Sequence, residues 1–157
     1  PHGQLTFDQS AKVIINHVTD GVRIAEKALL PKAVVDFIRT HHGLGKAKYF
    51  YNSFKNQYPD KEIDEKAFTY PGPNPFSKET AVLMMADSVE AASRSLKEHT
   101  EESIRQLVDK IIDGQIADGL LKSAPLTFRD VETIKSVFVD KLKTMFHTRI
   151  SYPDLKK

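Results

Sequence analysis

The chain has 157 residues, 40% of them hydrophobic and 28% charged, and its formal net charge is +2 at pH 7. Such a chain can form one globular domain with its own core, and its charge is too small to predict a nucleic-acid polymer or an anionic membrane as partner. Because cysteine is absent, disulfides and thiolate zinc sites are excluded, so any bound metal must be held by histidine, carboxylate and water.

The N-terminus and the apolar runs bear on the location of the protein. The sequence begins Pro1-His2-Gly3, which resembles neither a signal peptide nor a natural initiator sequence. Its longest apolar runs are far shorter than the roughly 20 residues that cross a bilayer. We therefore expect a cytosolic piece of a longer protein.

The first predicted helix carries a histidine on its inner face. Thr6 or Asp8 can cap this helix, and His17 shares one face with apolar residues on either side. We expect the helix to continue to Leu29, with a kink near Gly21. The ring of His17 is therefore predicted to point inward.

The second predicted helix ends in two adjacent histidines, followed by Gly43 as a helix stop. Val34, Ile38, His41 and His42 fall at positions i, i+4, i+7 and i+8, so both imidazoles extend the stripe that faces the core. Two polar rings at the buried end of a helix need partners. Either they are hydrogen-bonded structural histidines or they are metal ligands.

A long connection follows, and it is rich in aromatic residues. Residues 46–76 contain eight of the fourteen Phe and Tyr residues of the chain. A helical piece is predicted over residues 46–57, whereas the later Tyr-Pro and Pro-Gly-Pro segments are extended or turning, because the residue before proline avoids the α region. Such a connection is more typical of a packed functional loop than of a flexible linker.

The third main helix is predicted to begin after Ser77 and to be central. Residues 81–92 are apolar almost all the way round, which is typical of a helix covered on both sides. Asp87 is the one charge in the middle of this segment. A buried carboxylate is costly unless it is paired, hydrogen-bonded or bound to a cation.

Two covering helices complete the prediction. One begins at Thr100 and the other at Thr127, and the latter is expected to end before Tyr152-Pro153. No useful β-alternation or sequence repeat is present. The fold class is therefore predicted to be all-α, a bundle of about five main helices. The apolar stripes of the two covering helices contain Ile104, Leu107, Val108, Ile111 and Ile112, and Val131, Ile134, Val137, Phe138, Leu142, Met145 and Phe146.

Four of these polar residues form a candidate metal site: His17, His41, His42 and Asp87. They come from three helices of one bundle, and bundle cores commonly hold metals on inward histidines and carboxylates. Imidazole and carboxylate suit Fe, Mn, Zn or Ni, and such a site would activate a water for attack on a phosphoryl group. The alternatives are a satisfied core histidine, a histidine pair that caps carbonyls at a helix end, and a carboxylate paired with Lys or Arg.

Further residues are candidates for contacts with a phosphorylated substrate. The basic ones could bind phosphate, and the tyrosines could stack a base. The alternative explanations are a structural i, i+4 pair of Glu90 and Arg94 one turn beyond Asp87, a solvated loop for the lysines, and packing of the connection against the bundle for the tyrosines. The candidates are Arg94, Lys46, Lys48, Tyr49, Tyr51 and Tyr70.

The order of several segments resembles the C-terminal part of the HD domain of the seven-transmembrane HD hydrolases, the membrane-bound cyclic di-AMP phosphodiesterases of bacteria. The likeness extends over nearly the whole chain, and the ordered set is far more specific than any single segment. The segments are Asn16-His17-Val18, His41-His42-Gly43, Tyr70-Pro71-Gly72-Pro73, Met85-Ala86-Asp87-Ser88-Val89-Glu90-Ala91-Ala92 and His147-Thr148-Arg149-Ile150-Ser151-Tyr152-Pro153.

The resemblance implies an HD-superfamily bundle with two divalent metals, iron or manganese, that hydrolyses cyclic di-AMP to the linear dinucleotide pApA. It implies that His17, His41 and His42 hold one metal and that Asp87 helps to hold the other. The implied partner is a cyclic dinucleotide and not a nucleic-acid polymer. The implied location is the cytoplasmic domain of an inner-membrane protein, without direct contact of this segment with the membrane.

The sequence departs from the family pattern in one respect. The family places an early His and a His-Asp doublet before the segment that contains His17, and no His in this chain is followed by Asp. We therefore interpret residues 1–157 as a single domain, the C-terminal part of an HD domain whose doublet lies upstream of Pro1. This piece alone is predicted to bind metal weakly and to lack activity. Hydrolysis of another nucleotide or phosphoester, and a non-catalytic helical signalling or interaction module, remain alternatives.

Overall fold

The computed structural model describes residues 6–147, which form six α-helices and no β-strand. The prediction of an all-α bundle is therefore confirmed. The helix in addition to the five predicted main helices is the helical piece expected within residues 46–57. The helices are α1 (Phe7–Lys27), α2 (Lys32–Thr40), α3 (Lys48–Gln57), α4 (Lys78–Ser93), α5 (Glu101–Ala117) and α6 (Phe128–His147), with a 3₁₀ turn (Glu65–Phe68) between α3 and α4.

Side-chain caps fix the beginnings of three helices. The Ser77 hydroxyl accepts a hydrogen bond from the Thr80 backbone N–H at the start of α4, and Thr100 does the same for Ser103 at the start of α5. At α6 the Thr127 hydroxyl accepts from the Asp130 N–H, while the Asp130 carboxylate accepts from the Thr127 N–H. These bonds satisfy N–H groups that have no partner within the helix. The predicted caps of these three helices are confirmed.

Two hydrophobic clusters divide the bundle. The larger one joins α4, α5 and α6, and the smaller one joins α1, α3 and the 3₁₀ turn. Helix α4 packs against α2, α5 and α6, so its predicted central place is confirmed. The larger cluster consists of the buried residues Ala81, Met84, Met85, Val89, Ile104, Val108, Ile112, Leu121, Val139 and Leu142.

The predicted end of α1 is two residues too late. The helix closes after Lys27 because Leu29 adopts a φ of 56°. The Leu29 N–H donates to the Glu26 carbonyl and the Leu30 N–H donates to the Ala25 carbonyl, which is the hydrogen-bond pattern of a helix stop. Leucine takes here the left-handed position that glycine usually occupies.

A close approach of α1 and α2 sets the spacing of the predicted site. A Cβ atom added to Gly21 would lie 3.0 Å from Cγ2 of Ile38, so the two helices nearly touch one turn away from His17. On α2 the prediction that Val34 faces the core is wrong: Val34 is 40% exposed, whereas the neighbouring Val35 is 6% exposed. The packed face of α2 is thus rotated by about one residue from the predicted stripe.

Some predictions fall outside the described range. The expected helix end at Tyr152-Pro153 and residues 148–153 of the last family segment lie beyond residue 147. Among the helices of the described part, none is both long enough and apolar enough to span a membrane.

Candidate metal centre

Three histidines converge where the C-terminal end of α2 meets the middle of α1. His17 projects from α1, His41 follows the last residue of α2, and His42 comes next in the chain. One ring nitrogen from each lies within 4.8 Å of the others. The Nε2 atoms of His17 and His41 are 3.1 Å apart. The structure therefore brings together the three histidines that the sequence selected.

Backbone carbonyls fix two of the three rings. The Nδ1 atom of His17 contacts the Ile14 carbonyl, and Nδ1 of His41 lies 2.6 Å from the Ile38 carbonyl. A carbonyl can only accept, so each Nδ1 carries the proton and each neutral ring presents the lone pair of Nε2. Two lone pairs that face each other at 3.1 Å repel unless a cation lies against them. This donor set fits a metal ion, which histidine binds through one nitrogen while the other donates to a carbonyl.

His42 is held by an aromatic neighbour. Its ring stacks on Tyr70 with a centroid distance of 4.3 Å and an interplanar angle of 20°. Burial, together with the positive charge that His41 and His17 would carry, lowers the pKa of His42 to about 3. His42 is consequently neutral at pH 7, the form in which imidazole binds metals.

Asp87 lies beside the histidines but is not buried. Its Oδ2 atom is 4.0 Å from Nδ1 of His42, and 46% of its side chain is exposed. Because His42 is neutral at pH 7, this contact is not an ion pair. The prediction of a buried carboxylate is wrong, since α4 turns this face toward an open cavity instead of another helix.

The inward orientation predicted for the histidines needs a similar correction. His17 is exposed, and His41 and His42 are half-buried. Periodicity correctly predicted that the three rings lie close together, but the faces that carry them are not buried in the core. The rings meet at the edge of the cavity, where Tyr70 of the smaller cluster stacks on His42 while His17 stays exposed.

The cavity has a volume of about 860 Å³, within the range of about 300–1,000 Å³ that is usual for small-molecule sites. His41, His42 and Asp87 form one part of its lining. Five of the six predicted substrate contacts also line it: Lys46, Lys48, Tyr49, Tyr51 and Tyr70.

The sixth predicted contact, Arg94, is not among the residues that line the cavity. Its Nε and Nη2 atoms donate to the two carboxylate oxygens of Glu90 at 3.0 and 2.7 Å. The alternative interpretation of this pair, a helix-surface ion pair one turn beyond Asp87, is the one that the geometry favours.

The basic residues and tyrosines of the cavity have partners of their own. Lys46 forms an ion pair with Glu65 at 3.3 Å, and its ammonium lies 4.6 Å from the ring centre of Tyr51. Lys48 pairs with Asp118 at 3.6 Å. The ring of His42 covers one face of Tyr70, and a base cannot stack on that face. Among the three predicted tyrosines, Tyr49 and Tyr51 are therefore the better candidates for stacking a base.

The chain is similar to known proteins in sequence and in fold. No protein-family model matches the chain. The cyclic-di-AMP phosphodiesterase PgpH of Bacillus subtilis is 41% identical to it over 157 residues, which is 100% of this chain and 22% of that protein. The chain therefore spans about a fifth of the length of this relative.

Solved structures decide the family. The PgpH HD domain of L. monocytogenes matches with a TM-score of 0.85 at 33% identity, over 94% of this chain and 68% of that one. The same domain in complex with cyclic-di-AMP matches with a TM-score of 0.88 at 36% identity, over 97% and 70%. The chain belongs to the PgpH HD-domain family. The resemblance inferred from the ordered segments is confirmed, and so is the fold that it implied.

In this PgpH-type domain the loop after the histidine pair is held by a residue that the sequence did not suggest. Gly43 has a φ of 50°, and a Cβ added to it would lie 2.6 Å from Oδ1 of Asn74 and 2.8 Å from Cε of Met84. The same Oδ1 accepts a hydrogen bond of 2.8 Å from the Leu44 N–H. The Pro-rich segment therefore fixes the backbone that carries His41 and His42.

Sequence reasoning also missed the contribution of α5. In the PgpH-type domain this helix is more than a cover for the core, because one of its faces lines the cavity. A sequence signal was available: Lys110, Gly114 and Asp118 recur at intervals of four, and a glycine inside a helix is costly without a reason. The missed residues are Ser88 on α4 and Lys110, Gly114, Gln115 and Asp118 on or next to α5.

Proposed function

We propose that this chain supplies the histidine-rich part of a metal-dependent phosphodiesterase site that hydrolyses cyclic di-AMP to pApA. The observation that carries the proposal is the convergence of His17, His41 and His42, whose ring nitrogens lie within 4.8 Å of one another at the edge of a cavity. Membership of the PgpH family supports the substrate, since the similar HD domain is described in complex with cyclic-di-AMP.

In this proposal the three histidines hold one divalent metal and Asp87 helps to hold a second. The carbonyl contacts of His17 and His41 support it, because they orient each ring so that Nε2 faces the shared site, and the low pKa of His42 keeps that ring neutral at pH 7. Imidazole and carboxylate together suit iron or manganese. Bound divalent metals would supply Lewis-acid polarisation of the phosphoryl group and a nucleophile at neutral pH.

Other residues of the chain have roles in binding. Lys46 and Lys48 line the cavity and are proposed to screen the phosphate charge. To do so, Lys46 would break its ion pair with Glu65 and Lys48 its ion pair with Asp118. Tyr49 and Tyr51 are proposed to receive adenine. Tyr70 is proposed to hold the ring of His42 in place through their stacking contact.

The chain is proposed to need a further segment for turnover. No His-Asp doublet is present in the 157 residues, and the family pattern requires one. We therefore propose that this chain alone binds metal weakly and does not turn over cyclic di-AMP. The longer protein is proposed to be anchored in the inner membrane with this domain in the cytoplasm.

The test compares this chain with the same chain extended at its N-terminus by the corresponding upstream part of the Listeria PgpH HD domain. The extended protein is expected to produce pApA in the presence of Mn²⁺ or Fe²⁺, and the unextended chain is not. His17→Ala in the extended protein is expected to abolish turnover and to lower the metal content measured after desalting. His99→Ala is the matched control, because that ring stacks on Phe146 away from the cavity.

Three outcomes would contradict the proposal. Robust turnover by the unextended chain would show that the doublet is not needed. Unchanged metal content in the His17→Ala protein would refute the ligand assignment. Hydrolysis of other phosphodiesters with no preference for cyclic di-AMP would replace the substrate with another nucleotide or phosphoester.

A further inference from the structure

We propose that Glu65 is a positioning residue that keeps Lys46 on the ring of Tyr51 until a phosphate draws the lysine away and uncovers the ring for a base. Glu65 is not among the residues that line the cavity, whereas Lys46 and Tyr51 are. The inference rests on the proposed function, which gives the phosphate contact to Lys46 and base stacking to Tyr51. It is carried by the contacts that one carboxylate makes with both residues.

One oxygen atom of Glu65 contacts both of these residues. Its Oε1 atom lies 3.3 Å from Nζ of Lys46 and accepts a hydrogen bond of 3.4 Å from the hydroxyl of Tyr51. The Lys46 ammonium also lies 4.6 Å from the centre of the Tyr51 ring, a distance at which a cation is attracted to an aromatic face. The ammonium of Lys55 is farther from the same ring centre, at 5.9 Å. Glu65, Lys46 and Tyr51 thus form a triangle of mutual contacts.

The backbone around the triangle is fixed without the side chain of Glu65. Residues 45–47 pair with residues 68–70 through two backbone hydrogen bonds of 2.7 and 2.8 Å. The side chain of Asp64 caps the 3₁₀ turn that begins at Glu65. Loss of the Glu65 charge should therefore release the side chain of Lys46 without unfolding the segment that carries it.

The ion pair is weak enough for a ligand to displace it. The side chain of Glu65 is 62% exposed and that of Lys46 is 35% exposed, and solvent screens such pairs. A phosphate bound in the cavity offers the ammonium an equivalent charge-assisted hydrogen bond. Because the lysine stem is flexible, a single movement of Lys46 would both reach the phosphate and uncover the ring of Tyr51.

This competition predicts the sign of a charge substitution. While Lys46 lies on Tyr51, a base cannot stack on that face of the ring, and Glu65 neutralises the lysine. A nucleotide has to break the contact before it gains either interaction. Glu65→Gln removes the competing charge, so a nucleotide that carries phosphate should bind more tightly. A carboxylate that only stabilised the local structure would give weaker binding instead.

The first experiment measures the dissociation constants of cyclic di-AMP and adenosine monophosphate for this chain by isothermal titration calorimetry. Glu65→Gln is expected to bind both nucleotides about two- to fivefold more tightly than wild type. Glu62→Gln is the matched control, because it removes the same charge from an exposed residue of the same connection, and it should leave both constants unchanged. The Tm of Glu65→Gln should stay within about 4 °C of wild type.

A double-mutant cycle assigns the effect to the lysine. In a Lys46→Met background, Glu65→Gln is expected to change the affinity for adenosine monophosphate by less than about 1.5-fold, since the competing pair is already absent. An equal gain in both backgrounds would show that Glu65 acts through its general charge and not through Lys46, which would overturn the inference.

A spectroscopic measurement tests the triangle without any nucleotide. The chain contains five tyrosines, so ¹⁹F NMR of protein that carries 3-fluorotyrosine gives few signals, and Tyr51→Phe identifies the signal of Tyr51. Glu65→Gln and Lys46→Met are each expected to shift this signal, whereas Glu62→Gln is not. A Tyr51 signal that is the same in wild type and Glu65→Gln would overturn the inference.

The outcomes distinguish this inference from the proposed function. Tighter binding of adenosine monophosphate by Glu65→Gln, without any binding of cyclic di-AMP, would support the role of Glu65 and contradict the substrate. Binding of cyclic di-AMP that is equal or weaker in Glu65→Gln would overturn the role of Glu65 and keep the substrate. Failure of both nucleotides to bind would also overturn this role, since Lys46 and Tyr51 are both present in the chain.

Discussion

His17 and His41 present the Nε2 atoms of their rings to each other at 3.1 Å across two helices. Each ring is fixed from behind by a carbonyl three residues earlier in the chain, Ile14 for one and Ile38 for the other. When both rings are neutral, both Nε2 atoms are therefore hydrogen-bond acceptors. The contact is unfavourable while both rings are neutral, and it becomes favourable when a proton or a metal ion lies between the two atoms.

The first prediction concerns metal affinity. His17→Ala is expected to weaken Mn²⁺ binding to this chain by about 10–100-fold, because it removes one of three convergent donors. Isothermal titration calorimetry measures the effect, with His99→Ala as the control. Equal affinity in the two variants would show that the convergence of the histidines does not bind metal.

The second prediction concerns the turn after the histidine pair. Gly43→Ala is expected to lower the free energy of unfolding by about 1–3 kcal/mol, because Gly43 has a φ of 50° and the new methyl group would lie 2.6 Å from Oδ1 of Asn74. Urea denaturation of this chain measures the loss. Gly114→Ala is the matched control and is expected to stabilise the protein. A Gly43→Ala protein as stable as wild type would mean that the turn can relax freely.

The third prediction concerns Asn74. Asn74→Ala is expected to cost about 1–2 kcal/mol of stability, since it removes the 2.8 Å hydrogen bond to the Leu44 N–H. Asn74→Asp keeps the accepting oxygen and should recover most of that loss. We also expect metal affinity to fall with Asn74→Ala and to recover with Asn74→Asp. If both variants lose the same stability and affinity, the accepting oxygen is not the important feature of this residue.

The fourth prediction concerns the stacking of Tyr70 on His42, at a centroid distance of 4.3 Å. Tyr70→Phe keeps the ring and should leave stability within about 1 kcal/mol of wild type, whereas Tyr70→Ala should cost about 3–5 kcal/mol because Tyr70 is largely buried. Chemical denaturation gives both values. If Tyr70→Phe lowered the free energy of unfolding as much as Tyr70→Ala does, the stabilisation would come from the hydroxyl of Tyr70 and not from its ring.

The fifth prediction concerns pH. The pKa of His42 in the folded protein is about 3, below its ordinary value of 6.5, so the unfolded chain binds a proton that the folded chain does not. The stabilisation by His42 is therefore complete above pH 6.5 and is lost progressively as the pH falls toward 3.

The measurement compares Tm from pH 7.5 to 4 for wild type and His42→Gln, both with a chelator present. Wild type is expected to lose more stability than His42→Gln over this interval, because glutamine does not titrate. Parallel curves for the two proteins would show that His42 keeps its ordinary pKa in the folded state.

Local sequence signals determined the helices and selected the residues of the candidate metal centre. The hydroxyl caps at Ser77, Thr100 and Thr127 act within a few residues, so their positions follow from the sequence. The adjacency of His41 and His42 and the helix stop at Gly43 are also local. The order of the family segments predicted that the chain belongs to the HD hydrolases, and the comparison with PgpH HD domains confirmed it.

Tertiary packing decided what these residues face. Periodicity shows which residues share a side of a helix, but not whether another helix or a cavity covers that side, and Asp87 is exposed because the cavity lies there. The distance between His17 and His41 depends on Gly21, which lets Ile38 approach α1. The open space at Gly114 likewise results from how α3, α4 and α5 are arranged, since no local interaction along α5 creates a cavity.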